Sequence, residues 1–174
     1  LNDAWGGWDP LLAEVAAEYG AGLVCTHAGG VPPRTRPHRI CYDDVLADVL
    51  DRTVRQAERA VALGVPAEKV LLDPGHDFGK NTWHSLELTR RLSELVALGW
   101  PVLVSLSNKD FVGETLDQPL EQRLIGTLAT TAICAWQGAT VFRAHNVPET
   151  RQVLDMVGAI RGSLPPRRVV RGLA

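Results

Sequence analysis

Short apolar runs alternate with longer amphipathic stretches along the whole chain. Leu11, Leu12, Val15, Ala16 and Tyr19 fall on one helical face, between an Asp9-Pro10 start and a stop at Gly20. Residues 21–26, Ala-Gly-Leu-Val-Cys-Thr, form an apolar run that fits a buried strand. Residues 27–42 are rich in Gly, Pro and Arg and read as a loop. Asp43 or Asp44 then caps a long predicted helix that reaches Leu63 and is closed by Gly64. Its apolar positions are Val45, Leu46, Val49, Leu50, Val54, Ala57 and Val61.

The same unit recurs three more times. Val70-Leu71-Leu72 reads as a strand, followed by a Gly-rich turn and a helix from Leu86 to Leu98 that stops at Gly99. Val102-Leu103-Val104-Ser105-Leu106 is the next strand, residues 107–117 a loop, and residues 118–137 a helix ending at Gly138. Thr140-Val141-Phe142 is the last strand; Pro148 opens a helix to about Arg161, and residues 162–174 read as an irregular end. Strands that are apolar throughout, each followed by an amphipathic helix, predict an α/β fold with a parallel sheet covered by helices. A doubly wound sheet and a (β/α)8 barrel both satisfy that pattern. Both place ligands in the loops beyond the carboxyl ends of the strands.

Composition and charge narrow the function classes. The 174 residues are 45% hydrophobic and 22% charged, ordinary values for a globular domain with a core of its own. Eighteen basic against twenty acidic side chains leave a formal charge of −2, which gives no electrostatic footprint for nucleic acid. No apolar run approaches the ~18 residues of a membrane-spanning helix. Cys25, Cys41 and Cys134 are widely spaced and form no CxxC. They read as buried or half-buried thiols of a reducing, cytoplasmic compartment.

Polar residues stand at every strand end: Asn2-Asp3, Thr26-His27, Asp73, Ser107-Asn108-Lys109, and Arg143 with His145. Singly, each has a bland reading. Asp before Pro-Gly is a turn residue, a Ser-Asn pair is a cap, and His145 caps Val147-Pro148. Together they put ionisable or amide groups at five consecutive strand ends. Nearby glycines (Gly6-Gly7, Gly29-Gly30, Gly75, Gly79, Gly113) allow close backbone approach to a ligand. One carboxylate with several cations and amides suits a flat hydrogen-bonding heterocycle that carries an anionic tail. No HxxH or HExxH spacing occurs, which argues against a metal cage made by protein alone. Neither GxxxxGK[ST] nor GxGxxG occurs, which argues against a mononucleotide loop or a dinucleotide site.

Five ordered motifs carry a more specific signal. They are Leu1-Asn2-Asp3; Thr26-His27 with Gly30-x-Pro; Leu72-Asp73-Pro74-Gly75-His76-Asp77-Phe78-Gly79-Lys80; Ser107-Asn108-Lys109-Asp110-Phe111-Val112-Gly113; and Arg143-Ala144-His145-Asn146-Val147. In order and spacing they resemble the dihydropteroate synthase family, whose forms are IND, MHxxG(x)P, LDPGxGFGK, SRKxFxG and RVHDV. The resemblance spans nearly the whole chain. It implies a (β/α)8 barrel, of which residues 1–174 would be one pterin-binding domain carrying units four to eight. A full barrel runs to ~250 residues, and the chain opens on a motif of the fourth strand, so it is expected to be part of a longer product.

The implied reaction condenses para-aminobenzoate with 6-hydroxymethyl-7,8-dihydropterin pyrophosphate. By resemblance, Asn2 and Asp73 grip the pterin edge, Lys109 contacts its carbonyl side, and Arg143 and His145 hold the pyrophosphate. His27, Ser107, Asn108, Asp77 and Lys80 are further candidates. Mg2+ is implied, with its protein ligand outside this chain, so no residue here is a candidate metal ligand. A homodimer through the last helices is implied as well, with Trp136 as a candidate anchor. Four positions depart from the family forms: Thr26 for Met, Asp77 for Gly, Asn108 for Arg and Asn146 for Asp. Asn108 removes a permanent cation, and Asp77 is expected to set a repelling carboxylate beside anionic substrates. These changes leave a second expectation open, a diverged paralogue with weak or no synthase activity that binds a pterin-like or anionic ligand.

Overall fold

Five short parallel strands form the inner layer: β1 (Asn2–Asp3), β2 (Leu23–Thr26), β3 (Val70–Asp73), β4 (Leu103–Ser105) and β5 (Val141–Arg143). Seven helices cover them: α1 (Leu11–Glu18), α2 (Val45–Ala62), α3 (Thr82–Arg90), α4 (Leu92–Val96), α5 (Asp110–Leu116), α6 (Leu124–Trp136) and α7 (Val147–Ile160). The structure is a computed structural model describing residues 1–29 and 41–172. Gly30-x-Pro and most of the expected 27–42 loop lie outside the described residues.

The ladders β1–β2–β3 and β4–β5 are each parallel. A parallel bridge between Leu72 and Val102 joins them, with the Leu72 N–H donating to the Pro101 carbonyl at 2.9 Å. Spatial order therefore follows chain order. A doubly wound sheet reverses its strand order at a switch point; consecutive staves of a (β/α)8 barrel do not. The chain is a run of barrel units, as the resemblance implies.

Leu23 and Cys25 of β2, Val70 and Leu72 of β3 and Val104 of β4 enter one core. They meet Ala57 and Ala60 of α2, Leu92 and Leu95 of α4, Phe111 of α5 and Cys134 of α6. At the carboxyl ends the register pairs Thr26 with Asp73, and Ser105 with Arg143. Apolar pairing along the strands thus fixes which polar groups share the open end.

Most expected boundaries match within a few residues. The Asp44 carboxylate accepts the N–H groups of Leu46 and Ala47 at 2.9 and 3.0 Å and starts α2, a cap of the kind that contributes about 1 kcal/mol. Four expectations need correction. The inward face of α1 is Leu12, Ala13, Ala16 and Ala17, whereas Leu11, Val15 and Tyr19 are exposed; small side chains let the helix lie closer to the sheet. The expected 86–98 helix starts at Thr82, because Asn81 and His84 cap each other reciprocally, and it breaks at Arg91 into α3 and α4. Residues 107–117 are not all loop, since α5 fills Asp110–Leu116; α6 starts only at Leu124, after a 3-10 turn at Leu120–Gln122. Cys41 is exposed, while Cys25 and Cys134 are buried. No helix of the described residues is long and apolar enough to cross a membrane.

Candidate functional site

A cleft of ≈ 550 Å³ opens at the carboxyl ends of the strands. Asn2 reaches it from β1, Thr26 from β2, Asp73 from β3, Ser105 from β4 and Arg143 from β5. The connections beyond add Asp77, Phe78, Ser107, Asn108, Lys109, Asp110 and His145. The five residues expected to grip the pterin and the anion therefore line one cavity.

Asp73 is its deepest charged group, at 4% exposure. Its Oδ1 accepts the Gly75 N–H at 2.7 Å, and its Oδ2 takes no hydrogen bond among the described residues. Burial raises the carboxyl to about 6, against the pull of that N–H and of the Lys109, Lys80 and Arg143 cations. Gly75 holds φ +66, and a Cβ there would lie 2.0 Å from the His27 carbonyl oxygen, so only glycine fits beside Asp73. The neighbouring Thr26 hydroxyl is buried and has no partner among the described residues.

Asp77 does something other than face the ligand with a bare charge. Its φ is 65°, a left-handed geometry that Asp tolerates and most side chains do not. That geometry accounts for the glycine of the related motif. Its Oδ2 accepts the N–H groups of Asp110 at 2.6 Å and Phe111 at 3.4 Å, and the Ser85 hydroxyl donates to Oδ1 at 3.2 Å. Asp77 is thus the cap of α5, supplied from another loop, while it remains in the lining of the cleft. Burial raises its carboxyl, with Lys109 opposing.

Lys109 lies with Nζ 4.3 Å from the centre of the Phe78 ring, a cation–π contact. Burial lowers its pKa, and the Asp77 and Asp73 carboxylates resist. Asn108 is also left-handed, at φ 54°. Its N–H donates to the Thr127 hydroxyl at 3.1 Å, and its carbonyl accepts from Arg123 Nη1 at 2.9 Å. Arg123 also donates to Asp110 Oδ1 at 2.8 Å. Its guanidinium occupies the space a Cβ on Gly113 would take, 2.2 Å from Arg123 Nε. Gly113 sits inside α5 and makes room for this clamp, where a loop glycine approaching the ligand was expected.

On the adjoining strand, Arg143 Nη1 lies 3.5 Å from the Ser105 hydroxyl, and Ser107 Oγ accepts the His145 N–H at 3.0 Å. Both Arg143 and His145 are exposed. His27 and Lys80, expected as candidates, do not line the cleft. The Lys80 ammonium, 7% exposed, donates to His27 Nδ1 at 2.7 Å and to the Gly75 and Phe78 carbonyls at 2.9 Å each. Burial lowers its pKa to about 7, with Asp73 and Asp48 opposing. His27 is fully buried, and burial lowers its pKa to about 4. It is neutral at pH 7; since Nδ1 accepts from Lys80, the proton sits on Nε2, which donates to Asp48 Oδ2 at 2.7 Å.

Phe78, Ser105 and Asp110 line the cleft without having been expected there. Ser105 was readable as the partner of Arg143 once the register was known. Asp3, by contrast, turns away, its carboxylate accepting the N–H groups of Trp5 and Gly7 at 3.0 and 2.7 Å. Among the described residues no three His, Cys, Asp or Glu side chains converge on a metal position.

The sequence pattern of pterin binding enzymes matches residues 1–145. Inactive dihydropteroate synthase 2 of Mycobacterium leprae (strain TN) is 60% identical over 100% of this chain and 61% of its own length. The dihydropteroate synthase of Escherichia coli (strain K12) is 38% identical over 91% of this chain and 56% of its own. The crystal structure of dihydropteroate synthase from Thermus thermophilus in complex with 4-aminobenzoate superposes with TM-score 0.86 at 39% identity, covering 92% of this chain and 62% of that one. The chain thus spans 56–62% of these proteins. With its motifs, its consecutive barrel units and its strand-end cleft, the chain belongs to the pterin binding enzyme family, that of the dihydropteroate synthases.

Proposed function

We propose that this protein binds a pterin through Asp73 and Asn2, and that it performs the synthase condensation weakly or not at all. The observation that carries the first half is the buried Asp73 carboxylate, with one oxygen held by Gly75 and the other free in the cleft. An ionised carboxylate accepts two parallel bonds from the N–H and NH2 edge of a pterin, and the Asn2 amide serves the adjoining ring nitrogens. Lys109 donates to the carbonyl side. Arg143 and His145 hold the pyrophosphate, where negative charge grows as the C–O bond breaks. The amine of para-aminobenzoate is already a nucleophile, so catalysis rests on positioning and electrostatics, with no covalent intermediate.

The second half rests on Asn108, which supplies a dipole where the family form has a cation, and on the commitment of the α5 amides to Asp77. The name of the similar Mycobacterium leprae protein, inactive dihydropteroate synthase 2, supports it. The competing reading, an ordinary synthase, is favoured by the convergence of Asn2, Asp73, Lys109, Arg143 and His145 on one cleft. Mg2+ is proposed to accompany the pyrophosphate rather than to sit in a cage of these side chains, since no three His, Cys, Asp or Glu side chains converge among the described residues. Three free thiols suit a cytoplasmic setting. A second copy of the chain is proposed as a partner, because Ile125, Ile133 and Trp136 form an exposed stripe on α6.

The test is side-by-side assay of the full-length protein and the Escherichia coli enzyme with Mg2+, para-aminobenzoate and the pterin pyrophosphate, together with calorimetry of pterin binding. Pterin binding with little product is expected. Turnover equal to the Escherichia coli enzyme overturns the second half; absence of pterin binding overturns the first.

A further inference from the structure

We infer that the outer end of the cleft selects a second ligand whose polar end is a neutral or cationic hydrogen-bond donor, such as an amide or amidine, and disfavours a carboxylate. The inference rests on the pterin reading above and names the chemical class of the partner substrate. Phe78, 37% exposed, offers a ring face at this rim for a flat ligand. The groups around that ring decide what the far end of such a ligand meets.

The positive groups and backbone donors near Phe78 are already engaged. Lys109 lies over the ring and, in the reading above, gives its hydrogen bonds to the carbonyl side of the pterin. Arg123 is bonded to the Asn108 carbonyl and the Asp110 carboxylate, and does not line the cleft. The first N–H groups of α5 are occupied by Asp77 Oδ2. An internal carboxylate therefore holds the donors that an incoming carboxylate would need. Asp110, its side chain 80% exposed at the same rim, adds a second negative charge. Like charges brought together on binding oppose association.

What remains to meet a ligand is the Asn108 side-chain amide, which makes no hydrogen bond among the described residues, and Asp110 Oδ2, since Asp110 Oδ1 is bonded to Arg123 and both Asp77 oxygens are engaged. Those groups pair with N–H donors. Arg143 and His145, on the adjoining β5 and the turn beyond it beside Ser105 and Ser107, are the groups that the pterin reading assigns to the anionic leaving group.

Calorimetry on the full chain with 6-hydroxymethylpterin and pyrophosphate present would compare 4-aminobenzoate, 4-aminobenzamide and 4-aminobenzamidine, which share ring and amine and differ only at the para end. The amide and the amidine are expected to bind at least about tenfold more tightly than the acid. An Asp77→Gly, Asn108→Arg double variant should reverse the order; Asn108→Arg alone serves if the double variant does not fold. Equal or tighter binding of 4-aminobenzoate to the natural protein overturns the inference, and so does failure of all three to bind. Loss of the pterin reading appears separately, as no heat with 6-hydroxymethylpterin, and the order of the three para-substituted ligands is then read without it.

Discussion

The Asp77 carboxylate accepts the Asp110 backbone N–H at 2.6 Å, so a residue in the β3 connection starts a helix in the β4 connection. Its backbone is left-handed, where the related motif has glycine. Two effects of opposite sign follow for any replacement. Loss of the cap costs ~0.5–2 kcal/mol, whereas glycine at a positive φ relieves strain of about 1 kcal/mol. Asp77→Ala loses the cap and keeps the strain, so its Tm should fall clearly below that of Asp77→Gly. Equal melting temperatures would show that the left-handed backbone stores no strain.

Asp73 makes the unliganded protein less stable as pH rises. Its carboxyl titrates near 6 in the folded chain against an ordinary value of 3.8. Between those values the folded state keeps a proton that the unfolded state has lost, so stability falls through that window, by on the order of 1–3 kcal/mol. Asp73→Asn keeps an acceptor for the Gly75 N–H. Its Tm at pH 7 should exceed that of the natural protein, and the gap should close near pH 4. A gap that is absent at pH 7 would remove the burial argument.

Pterin affinity should have the opposite dependence. Only the ionised Asp73 accepts both N–H bonds, so affinity should climb as pH rises through about 6 and level off above it. Asp73→Asn should weaken pterin by roughly 2–5 kcal/mol at pH 7, as for a broken buried charge-assisted pair. Calorimetry at pH 5 and pH 7.5 reads both effects, and unchanged affinity in the variant would place the pterin elsewhere.

Arg143 forms no ion pair among the described residues, which leaves it free for an anion. Arg143→Ala should lower pyrophosphate affinity by about 1.5–3 kcal/mol, and His145→Ala by less. A crystal soaked in pyrophosphate with an empty position between these two side chains would contradict this.

Ile125 is 81% exposed and Trp136 56% exposed on α6. If this stripe joins two copies, an Ile125→Asp, Ile133→Asp double variant should run as a monomer in light scattering while the natural chain runs as a dimer. A natural chain that is monomeric at micromolar concentration rules the interface out.

Hydrophobic periodicity located the strands and α2 because each has a local signal: an apolar run, or an aspartate cap before an apolar stripe. The strand-end rule then found Asn2, Asp73, Lys109, Arg143 and His145. It failed for α5 because that helix takes its cap from Asp77, in another loop, and no pattern within residues 107–117 records it. It also failed for His27 and Lys80, whose polarity suits a ligand equally well but is used inward, on loop carbonyls and on α2. The inward face of α1 was missed because alanines, which pack closest, score as weakly apolar.

The cation of Lys80 is shared among the ends of β2 and β3 and, through His27 and Asp48, reaches Arg52, which donates to Asp48 at 2.9 Å on the outer side of α2. Four side chains thus run from solvent to the turn beneath Asp73. A substitution at Arg52, which would pass for a neutral surface change, loosens the outermost link of a tether whose other end sets the cleft floor. The outside of the barrel wall at α2 is therefore mechanically part of the site, and variation there should register in how firmly the Asp73 turn is held.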